Sequence, residues 1–274
     1  MLIRVGSRGS RLALTQAELA SSRLRGSGIE IALIPITTAG DRDRSKPFGE
    51  IGSRGVFVKE LEEALLENRI DVAVHSAKDM TSSDPDGLTV GAYIERDDPR
   101  DALCGAGEIR PGMRVGTASA RRKAQLLALE PTLSIEPLRG NIDTRLRKRG
   151  ERGLDAIVLA ACGLDRLGLA NEIGRRFDPA ELLPEAAQGA LALQVRVGEE
   201  QLVAALDHAE TRRRVEAERA AVAAVGGGCL APVAAYHDGT TLTALVAAED
   251  GSWVERLTGD DPVALGRELA ALAR

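Results

Sequence analysis

The sequence predicts an α/β protein with two successive α/β units and a small α+β domain at the C-terminus. Strand-like and helix-like segments alternate through most of the 274 residues, which is typical of α/β units with mostly parallel sheets. A polar segment at 95–102, which contains Pro99, interrupts the alternation before it restarts. After residue 230 the pattern becomes three short strands joined by Gly- and Asp-containing turns, which indicates a three-stranded antiparallel sheet.

The spacing of apolar residues predicts each element in turn. In the first unit it predicts strands at 2–5, 29–36, 71–76 and 88–94 and helices at 11–24 and 56–68. In the second unit it predicts strands at 114–117, 133–138 and 155–161 and helices at 119–130 and 141–149. Two helical stretches follow at 199–207 and 210–225, and a last helix begins at Pro262.

Composition and charge disfavour several classes of protein. Arg4 lies where a secretory signal would need an apolar segment, and the longest apolar run, 156–164, is too short to span a bilayer. Three cysteines without close pairing fit a reducing cytoplasm, and three scattered histidines give no zinc signature. Because aromatic residues are 2% of the chain and the net charge is −5, a nucleic-acid partner is disfavoured. We therefore expect a cytoplasmic protein with a small-molecule partner, no nucleic acid, no membrane and no metal.

Positive charge is concentrated in one segment of this acidic chain. Residues 110–152 hold eleven Lys or Arg and four Asp or Glu, which predicts an anionic ligand. For 145–152 alone, an Arg-rich solvated helix face is an equally good explanation.

A short motif occurs twice, as VGSRGSR at 5–11 and VGTASAR at 115–121. Each copy follows a strand and opens a helix, where unpaired backbone amides can bind an anion. An N-cap role for the hydroxyls would explain either copy alone. Two copies in successive units suggest two lobes that face each other across an anion-binding cleft.

The segment DVAVHSAKDM, 71–80, places ionisable side chains at the end of a predicted strand. A solvated loop pair is the ordinary role of an isolated Lys78–Asp79 dipeptide. At the carboxyl end of a strand, however, Asp79 would stabilise a developing cation and Lys78 would bind substrate anions. His75, on the apolar strand, is expected to be a hydrogen-bonded core residue.

Several arginines and one cysteine also suggest a binding site. Four arginines occupy turn or first-turn positions, where Gly140 and Asn141 would let the backbone approach a ligand: Arg121, Arg122, Arg139 and Arg145. Because guanidinium groups bind carboxylates bidentately, they predict a ligand with several carboxylates.

Cys229 follows three glycines at 226–228. Taken alone, it would be a small residue in a turn, and a cysteine-hydrolase role would need an oriented base, of which His237 is the nearest candidate in sequence. Cys104 and Cys162 adjoin apolar runs and are expected to be small buried residues.

Six motifs in order along the chain closely resemble the porphobilinogen deaminase family, also called hydroxymethylbilane synthase. They are AVHSAKD (73–79), GTASARRKAQL (116–126), LRGNIDTRL (138–146), AACGLDRLGL (160–169), AAQGALAL (186–193) and GGGCLAPVAAY (226–236). The similarity begins at GSRGSRLALTQ (6–16) and therefore covers most of the chain. Six motifs in register are specific, although any one of them would not be.

The resemblance implies a transferase of porphyrin, tetrapyrrole and heme biosynthesis. The family condenses four porphobilinogens head to tail, releases ammonia at each step and yields the linear tetrapyrrole hydroxymethylbilane. By motif, Asp79 is the catalytic residue, and a dipyrromethane cofactor is joined through a thioether to Cys229. The cofactor-binding residues implied are Cys229, Lys78, Asp79, Thr117, Ser119, Arg121, Arg122, Arg139 and Gly140. The substrate-binding residues implied are Arg8, Ser10, Phe57, Arg145, Arg166 and Gln188.

The resemblance also implies a monomer of three domains. The first two would resemble periplasmic binding-protein lobes with mixed, mostly parallel sheets, one formed by 1–94 with 190–208 and the other by 99–189. Residues 209–274 would form the C-terminal domain that carries the cofactor cysteine. The carboxylate arms of porphobilinogen would find their complementary charge in the basic segment 110–152.

The sequence departs from the family's usual residues at several positions. Arg54 replaces a usual lysine, and Glu50 lies where many members have a cation. Ala118 replaces a common serine, Ala187 replaces a glycine, and Ala77 replaces a common methionine. These departures leave the predicted cysteine and aspartate in place.

One alternative from another class is a non-catalytic two-lobed module that binds a small anion. It accounts for the repeated α/β pattern and the arginines, but it gives no role to Asp79 or to the glycine-flanked Cys229. A covalent adduct on Cys229 would distinguish the enzyme from the binding module.

Overall fold

A computed structural model describes residues 1–25, 29–37, 58–81, 83–226 and 232–273. Glu50, Arg54, Phe57 and Cys229 lie outside the described residues. The chain divides into two compact units. Unit 1 comprises 1–97 and 190–213, and unit 2 comprises 98–189 and 214–274.

The elements of the described residues are named in chain order. The strands are β1 (Leu2–Arg8), β2 (Glu30–Ile36), β3 (Val72–Ser76), β4 (Leu88–Tyr93), β5 (Asp101–Cys104), β6 (Arg114–Gly116), β7 (Ser134–Glu136), β8 (Ala156–Ala160), β9 (Ile173–Arg176), β10 (Leu191–Arg196), β11 (Val233–His237), β12 (Leu242–Ala247) and β13 (Val254–Gly259). The helices are α1 (Arg11–Arg25), α2 (Lys59–Leu66), α3 (Ala120–Leu129), α4 (Ile142–Glu151), α5 (Ala161–Arg166), α6 (Ala209–Val225) and α7 (Pro262–Leu272). None of the helices so described is both long and apolar enough to cross a membrane.

Unit 1 is built on a five-stranded mixed sheet with the strand order β2-β1-β3-β10-β4. β1 pairs parallel with β2 and β3, whereas β10 is antiparallel to both β3 and β4. Four of the five strands therefore point the same way. Helix α1 packs against the sheet through Ala17 and Ala20, which are fully buried because their small side chains let the helix approach closely. Helix α2 buries Leu61 and Leu65 in a second cluster.

Unit 2 contains a five-stranded sheet of the same design, with the strand order β7-β6-β8-β5-β9. β6 pairs parallel with β7 and β8, and β5 is antiparallel to both β8 and β9. Its core holds Leu103, Val115, Leu126 and Phe177, all nearly inaccessible to solvent. Burial of each such side chain contributes about 1.5–3 kcal/mol.

The C-terminal part of unit 2 is a three-stranded antiparallel sheet, β11-β12-β13, covered by helices α6 and α7. Helix α7 begins at Pro262 because Asp261 caps it, accepting hydrogen bonds from the backbone amides of Val263 and Ala264 at 3.0 Å. Gly266 permits the close packing of α7 on α6, since a Cβ there would lie 2.3 Å from the carbonyl oxygen of Ala221.

The predicted fold class is confirmed, with two mixed α/β sheets and a small antiparallel sheet. The predicted start of the last helix is also correct. Strands β5, β9 and β10 were not predicted from the sequence. The predicted helix at 199–207 is wrong, because the chain forms two 3-10 turns there, Glu200–Leu202 and Ala204–Leu206. Their tighter i to i+3 hydrogen bonds bring Val203 into the core of unit 1.

Candidate active site

A pocket in unit 1 lies where β1 and β3 end. Its polar lining comes from β1, from the start of α1, from β3 and from the turn after it: Arg8, Ser10, Gln16, His75, Ser76 and Asp79. Its apolar lining includes Leu12, Ala13 and Val58. The structure thus brings together three of the residues predicted for the site, Arg8, Ser10 and Asp79.

The position of Asp79 follows from how β3 ends. The strand leads directly into a 3-10 turn, Ala77–Asp79, whose first amide donates to the carbonyl of Ala190 at 3.0 Å. Met80, directly after the turn, is buried and anchors it. Lys78 lies on the same turn but is not among the residues that line the pocket.

Two further polar residues support this pocket. Gln16, on the buried face of α1, donates from Nε2 to the Ser76 hydroxyl at 3.1 Å. His75 is buried, and its Nε2 lies 3.1 Å from Oε1 of Gln194, which confirms the predicted hydrogen-bonded core histidine. Gln194 also donates to Glu62 at 3.3 Å. Burial raises the pKa of Glu62, and the hydrogen bond from Gln194 opposes this rise.

Both copies of the repeated motif place a serine at a helix start. The Ser119 hydroxyl accepts the amide of Arg122 at 3.3 Å, and the Ser10 hydroxyl accepts the amide of Ala13 at 3.3 Å. Thr117, whose hydroxyl accepts the Ser119 amide at 3.2 Å, braces the turn in unit 2. The hydroxyls therefore act as N-caps, the alternative that the sequence left open.

A fully buried carboxylate organises the arginines at the start of α3. Asp101 Oδ2 accepts from Nη1 of Arg121 at 2.7 Å, and Oδ1 accepts from Nε and Nη2 of Arg122 at 3.0 and 2.7 Å. Gln188 donates to the same Oδ1 at 2.9 Å. One aspartate thereby joins three residues that were predicted for the site.

Charge, rather than solvent, stabilises this aspartate. Asp101 is 0% exposed, and Arg121 and Arg122 are 4% and 5% exposed. Burial alone would raise the pKa of Asp101, but the two guanidinium groups outweigh that effect and hold it far below its usual range. Burial acts to lower the pKa of Arg122, and the negative charge of Asp101 outweighs it, so the cluster stays ionised.

A second basic group lies where α4 begins. Nε of Arg145 donates to the carbonyl of Gly140 at 2.6 Å, and Nζ of Lys148 donates to the carbonyl of Arg139 at 3.2 Å. Gly140 has φ +121°, and a Cβ there would lie 2.7 Å from Thr144. Glycine therefore suits this turn, whereas the predicted approach of the backbone to a ligand here stays a prediction.

The turn that carries Gln188 is fixed from two sides. Nη2 of Arg166 donates to the carbonyl of Gly189 at 2.6 Å. Ala187, which replaces the family's glycine, has φ +63°, a conformation that favours glycine. The buried Glu218 stabilises it by accepting the Ala187 amide at 2.7 Å, and its other oxygen accepts the amide of His237 at 2.8 Å.

Sequence reasoning missed Asp101, Gln16 and Glu218. Gln16 had a detectable signal, because it lies on the stripe of small apolar residues that α1 buries. Asp101 lay in a segment interpreted as a polar loop, and Glu218 lay among other charged residues of a helix. Nothing in the local pattern marked either one as buried.

The guanidinium, hydroxyl and amide groups of each unit, taken separately, are suited to small molecules that carry carboxylates. Comparison with known protein families identifies the family to which the chain belongs. Residues 3–204 match the family described as "Porphobilinogen deaminase, dipyromethane cofactor binding domain", and residues 212–274 match "Porphobilinogen deaminase, C-terminal domain". The chain belongs to the porphobilinogen deaminase family.

Curated relatives agree with this assignment. The porphobilinogen deaminase of Chromobacterium violaceum is 44% identical over 284 residues, covering 97% of this chain and 92% of the relative. That of Bacillus subtilis is 43% identical over 288 residues, covering 98% and 92%. Among solved structures, a periplasmic substrate-binding protein of an ABC transporter from Coxiella burnetii is 15% identical, with a TM-score of 0.44, covering 74% of this chain and 91% of that one.

Proposed function

We propose that this chain condenses four porphobilinogen molecules head to tail into hydroxymethylbilane, with Asp79 as the catalytic carboxylate and Cys229 as the attachment point of a dipyrromethane cofactor. The observation that carries the proposal is the pocket in unit 1, where Asp79 lies among the same lining residues as Arg8 and Ser10. Family membership over nearly the whole chain supports the same reaction.

In this proposal Asp79 acts on the substrate when ammonia leaves. Departure of ammonia from the aminomethyl group leaves a positive charge on the substrate's pyrrole, and a fixed carboxylate stabilises that charge where it develops. Arg8 and Ser10 bind carboxylate arms of the substrate, as do Arg145, Arg166 and Gln188 of the predicted set. Phe57 completes the predicted substrate-binding residues. The turn that follows β3 keeps Asp79 in place, so little reorganisation is needed at each condensation.

The residues present fit a cofactor that carries carboxylates. Nε and Nη2 of Arg121 are buried and have no hydrogen-bond partner among the described residues. A carboxylate arm would satisfy both donors, with Thr117, Ser119, Arg122, Arg139, Gly140 and Lys78 as further members of the predicted set. When bound, the dipyrromethane supplies the pyrrole carbon at which chain growth starts.

The proposal also covers the domain organisation, the oligomeric state and the cellular location of the protein. Residues 1–94 with 190–208, 99–189 and 209–274 form three domains, the last of which carries Cys229. The protein acts as a cytoplasmic monomer. The family resemblance supports these statements, and the apolar cluster between the three-stranded sheet and helices α6 and α7 supports the last of the three domains.

Intact-mass spectrometry tests the function directly. Protein from a host that makes porphyrins should carry a covalent dipyrromethane and give a pink colour with an acidic aldehyde reagent for pyrroles. Cys229→Ala should lose the added mass, the colour and turnover, whereas Cys162→Ala, a change of a buried cysteine, should keep all three. An unmodified wild-type mass without colour would instead favour the small-anion binding module.

A further inference from the structure

Asp101 lies at a position where the sheet does not require a carboxylate. It is the first residue of β5 and pairs with the last residue of β8. In unit 1 the corresponding place, the first residue of β10 opposite the last residue of β3, is occupied by Leu191. Both side chains are almost completely buried. Because an apolar leucine occupies this place in one sheet, formation of the sheet does not explain the buried charge in the other.

The two arginines also have apolar counterparts. Counted from the serine that caps each helix, Arg121 and Arg122 correspond to Leu12 and Ala13. Exchange of such an apolar set for a buried charged cluster brings little stability, because desolvation of the charges offsets their attraction. The Asp–Arg–Arg cluster of unit 2 therefore calls for an explanation other than stability.

Asp101 makes the two arginines unequal. All three guanidinium nitrogens of Arg122 are hydrogen-bonded, two to Asp101 and Nη1 to the carbonyl of Val158 at 3.1 Å. Among the described residues, Arg121 makes hydrogen bonds only through Nη1, which donates to Asp101 and to the carbonyl of Leu183, both at 2.7 Å. Its Nε and Nη2 form one of the edges on which a guanidinium binds a carboxylate bidentately.

We propose that Asp101 is a positioning residue for the cofactor site, which fixes Arg122 as an anchor and orients Arg121 so that its Nε–Nη2 edge receives a carboxylate of the dipyrromethane. This inference rests on the proposed function. The hydrogen bond from Gln188 to Asp101 gives the same carboxylate control over a third residue of the predicted site. Asp101 acts through these three side chains rather than on the reacting atoms.

The first test is Asp101→Asn, which keeps the shape and one acceptor oxygen but removes the charge. Cofactor-free protein is incubated with porphobilinogen, and the gain of dipyrromethane mass is followed with time. Loss of the charge-assisted bonds that orient Arg121 should slow loading by about tenfold or more in protein that remains folded by circular dichroism. If folded Asp101→Asn gained the dipyrromethane mass at the wild-type rate, the proposal would be overturned.

Asp98→Asn is the matched control. Asp98 lies three residues earlier and also accepts from two arginines, Arg100 and Arg176, but it is partly exposed and neither arginine belongs to the predicted site. Its variant should load within about twofold of wild type. Equal slowing in both variants would show a general effect of lost ion pairs and would contradict a positioning role.

A second measurement is made on the wild-type protein, and variants serve only to assign its signals. Arginine Nε–H signals are recorded by NMR before and after loading with porphobilinogen, and are assigned with Arg121→Lys and Arg122→Lys. The Arg121 signal should shift on loading, and the Arg122 signal should stay in place. A shift of Arg122 as large as that of Arg121 would overturn the proposal. Wild type that never gains the added mass would refute the proposed function itself, and this inference with it.

Discussion

Two short strands with the same place in their sheets show how the two units differ. β5 reads Asp-Ala-Leu-Cys at 101–104, and the first four residues of β10 read Leu-Ala-Leu-Gln at 191–194. Each is the antiparallel strand beside the central parallel strands. They share the middle pair, but the first position is a buried aspartate in β5 and a buried leucine in β10, and the fourth is Cys104 in β5 and Gln194 in β10.

This exchange changes which side chains lie at the edge of each sheet where β3 and β8 end. In unit 2 the first position gives Asp101, which holds Arg121 and Arg122. In unit 1 the corresponding residues are apolar, and Leu12 and Ala13 line the pocket that contains Asp79. One architecture thus holds two different arrangements, a guanidinium cluster in unit 2, for which we propose carboxylate binding, and a pocket with a carboxylate in unit 1. The following predictions test this division.

The largest expected effect is on turnover, from a change in unit 1. Asp79→Asn should lower kcat by about 10² to 10⁴-fold, because the amide cannot stabilise the cation that forms as ammonia leaves. Although Asp79 belongs to the predicted cofactor-binding set, the fraction of protein that carries the cofactor should stay close to wild type, since the arginines proposed to bind the cofactor's carboxylates are unchanged. Steady-state kinetics and intact mass measure the two quantities separately.

Asp86→Asn serves as the control for this variant, because Asp86 is an exposed aspartate that follows in the same connection before β4. Its turnover should match wild type. If Asp79→Asn also turned over at the wild-type rate, the catalytic carboxylate would have to be sought elsewhere.

The next effect is on stability and comes from copying unit 1 into unit 2. Asp101→Leu alone leaves two buried guanidinium groups without their carboxylate and should lower the free energy of unfolding by about 3–5 kcal/mol. The triple change Asp101→Leu, Arg121→Leu and Arg122→Ala installs the apolar set of unit 1 and should recover most of that loss. It should nevertheless fail to load the cofactor. Urea unfolding and intact mass check both parts, and a triple variant as unstable as the single one would break the comparison.

Much of the fold could be predicted because its signals are local. The apolar runs of β1, β3 and β8 and the stop and start signals around Pro262 lie within a few residues of the elements they define. β5 was missed because Asp101 begins it and a polar segment precedes it, so the local pattern resembles a loop. It is a strand because its neighbours β8 and β9 satisfy its backbone, and both are more than fifty residues away in sequence.

The candidate site, like the fold, could be predicted only where its residues lie in short local motifs. Motif positions indicated Arg121, Arg122 and Gln188, and the structure joins all three. The residue that joins them, Asp101, is separated from Gln188 by 87 residues, so its burial and its partners arise only from tertiary packing. The strain at Ala187 likewise becomes visible only from its φ of +63°.

The smallest expected effect concerns the last position of the compared strands, where unit 2 has Cys104 and unit 1 has Gln194. Burial raises the pKa of the Cys104 thiol to about 11, although the nearby charge of Arg149 opposes the rise. As pH rises past about 9, the unfolded chain loses this proton while the folded chain keeps it, so the free energy of unfolding should fall by about 1–2 kcal/mol as pH approaches 11. The stability contributed by the protonated Cys104 thiol is fully present below the pKa that the thiol has in the unfolded chain. Cys104→Ala removes it, so urea unfolding under reducing conditions should show the stability difference between wild type and Cys104→Ala shrinking through this window. If the free energies of unfolding of the two proteins changed in parallel with pH, Cys104 would not titrate in this window. The chemical difference between β5 and β10 would then be confined to Asp101.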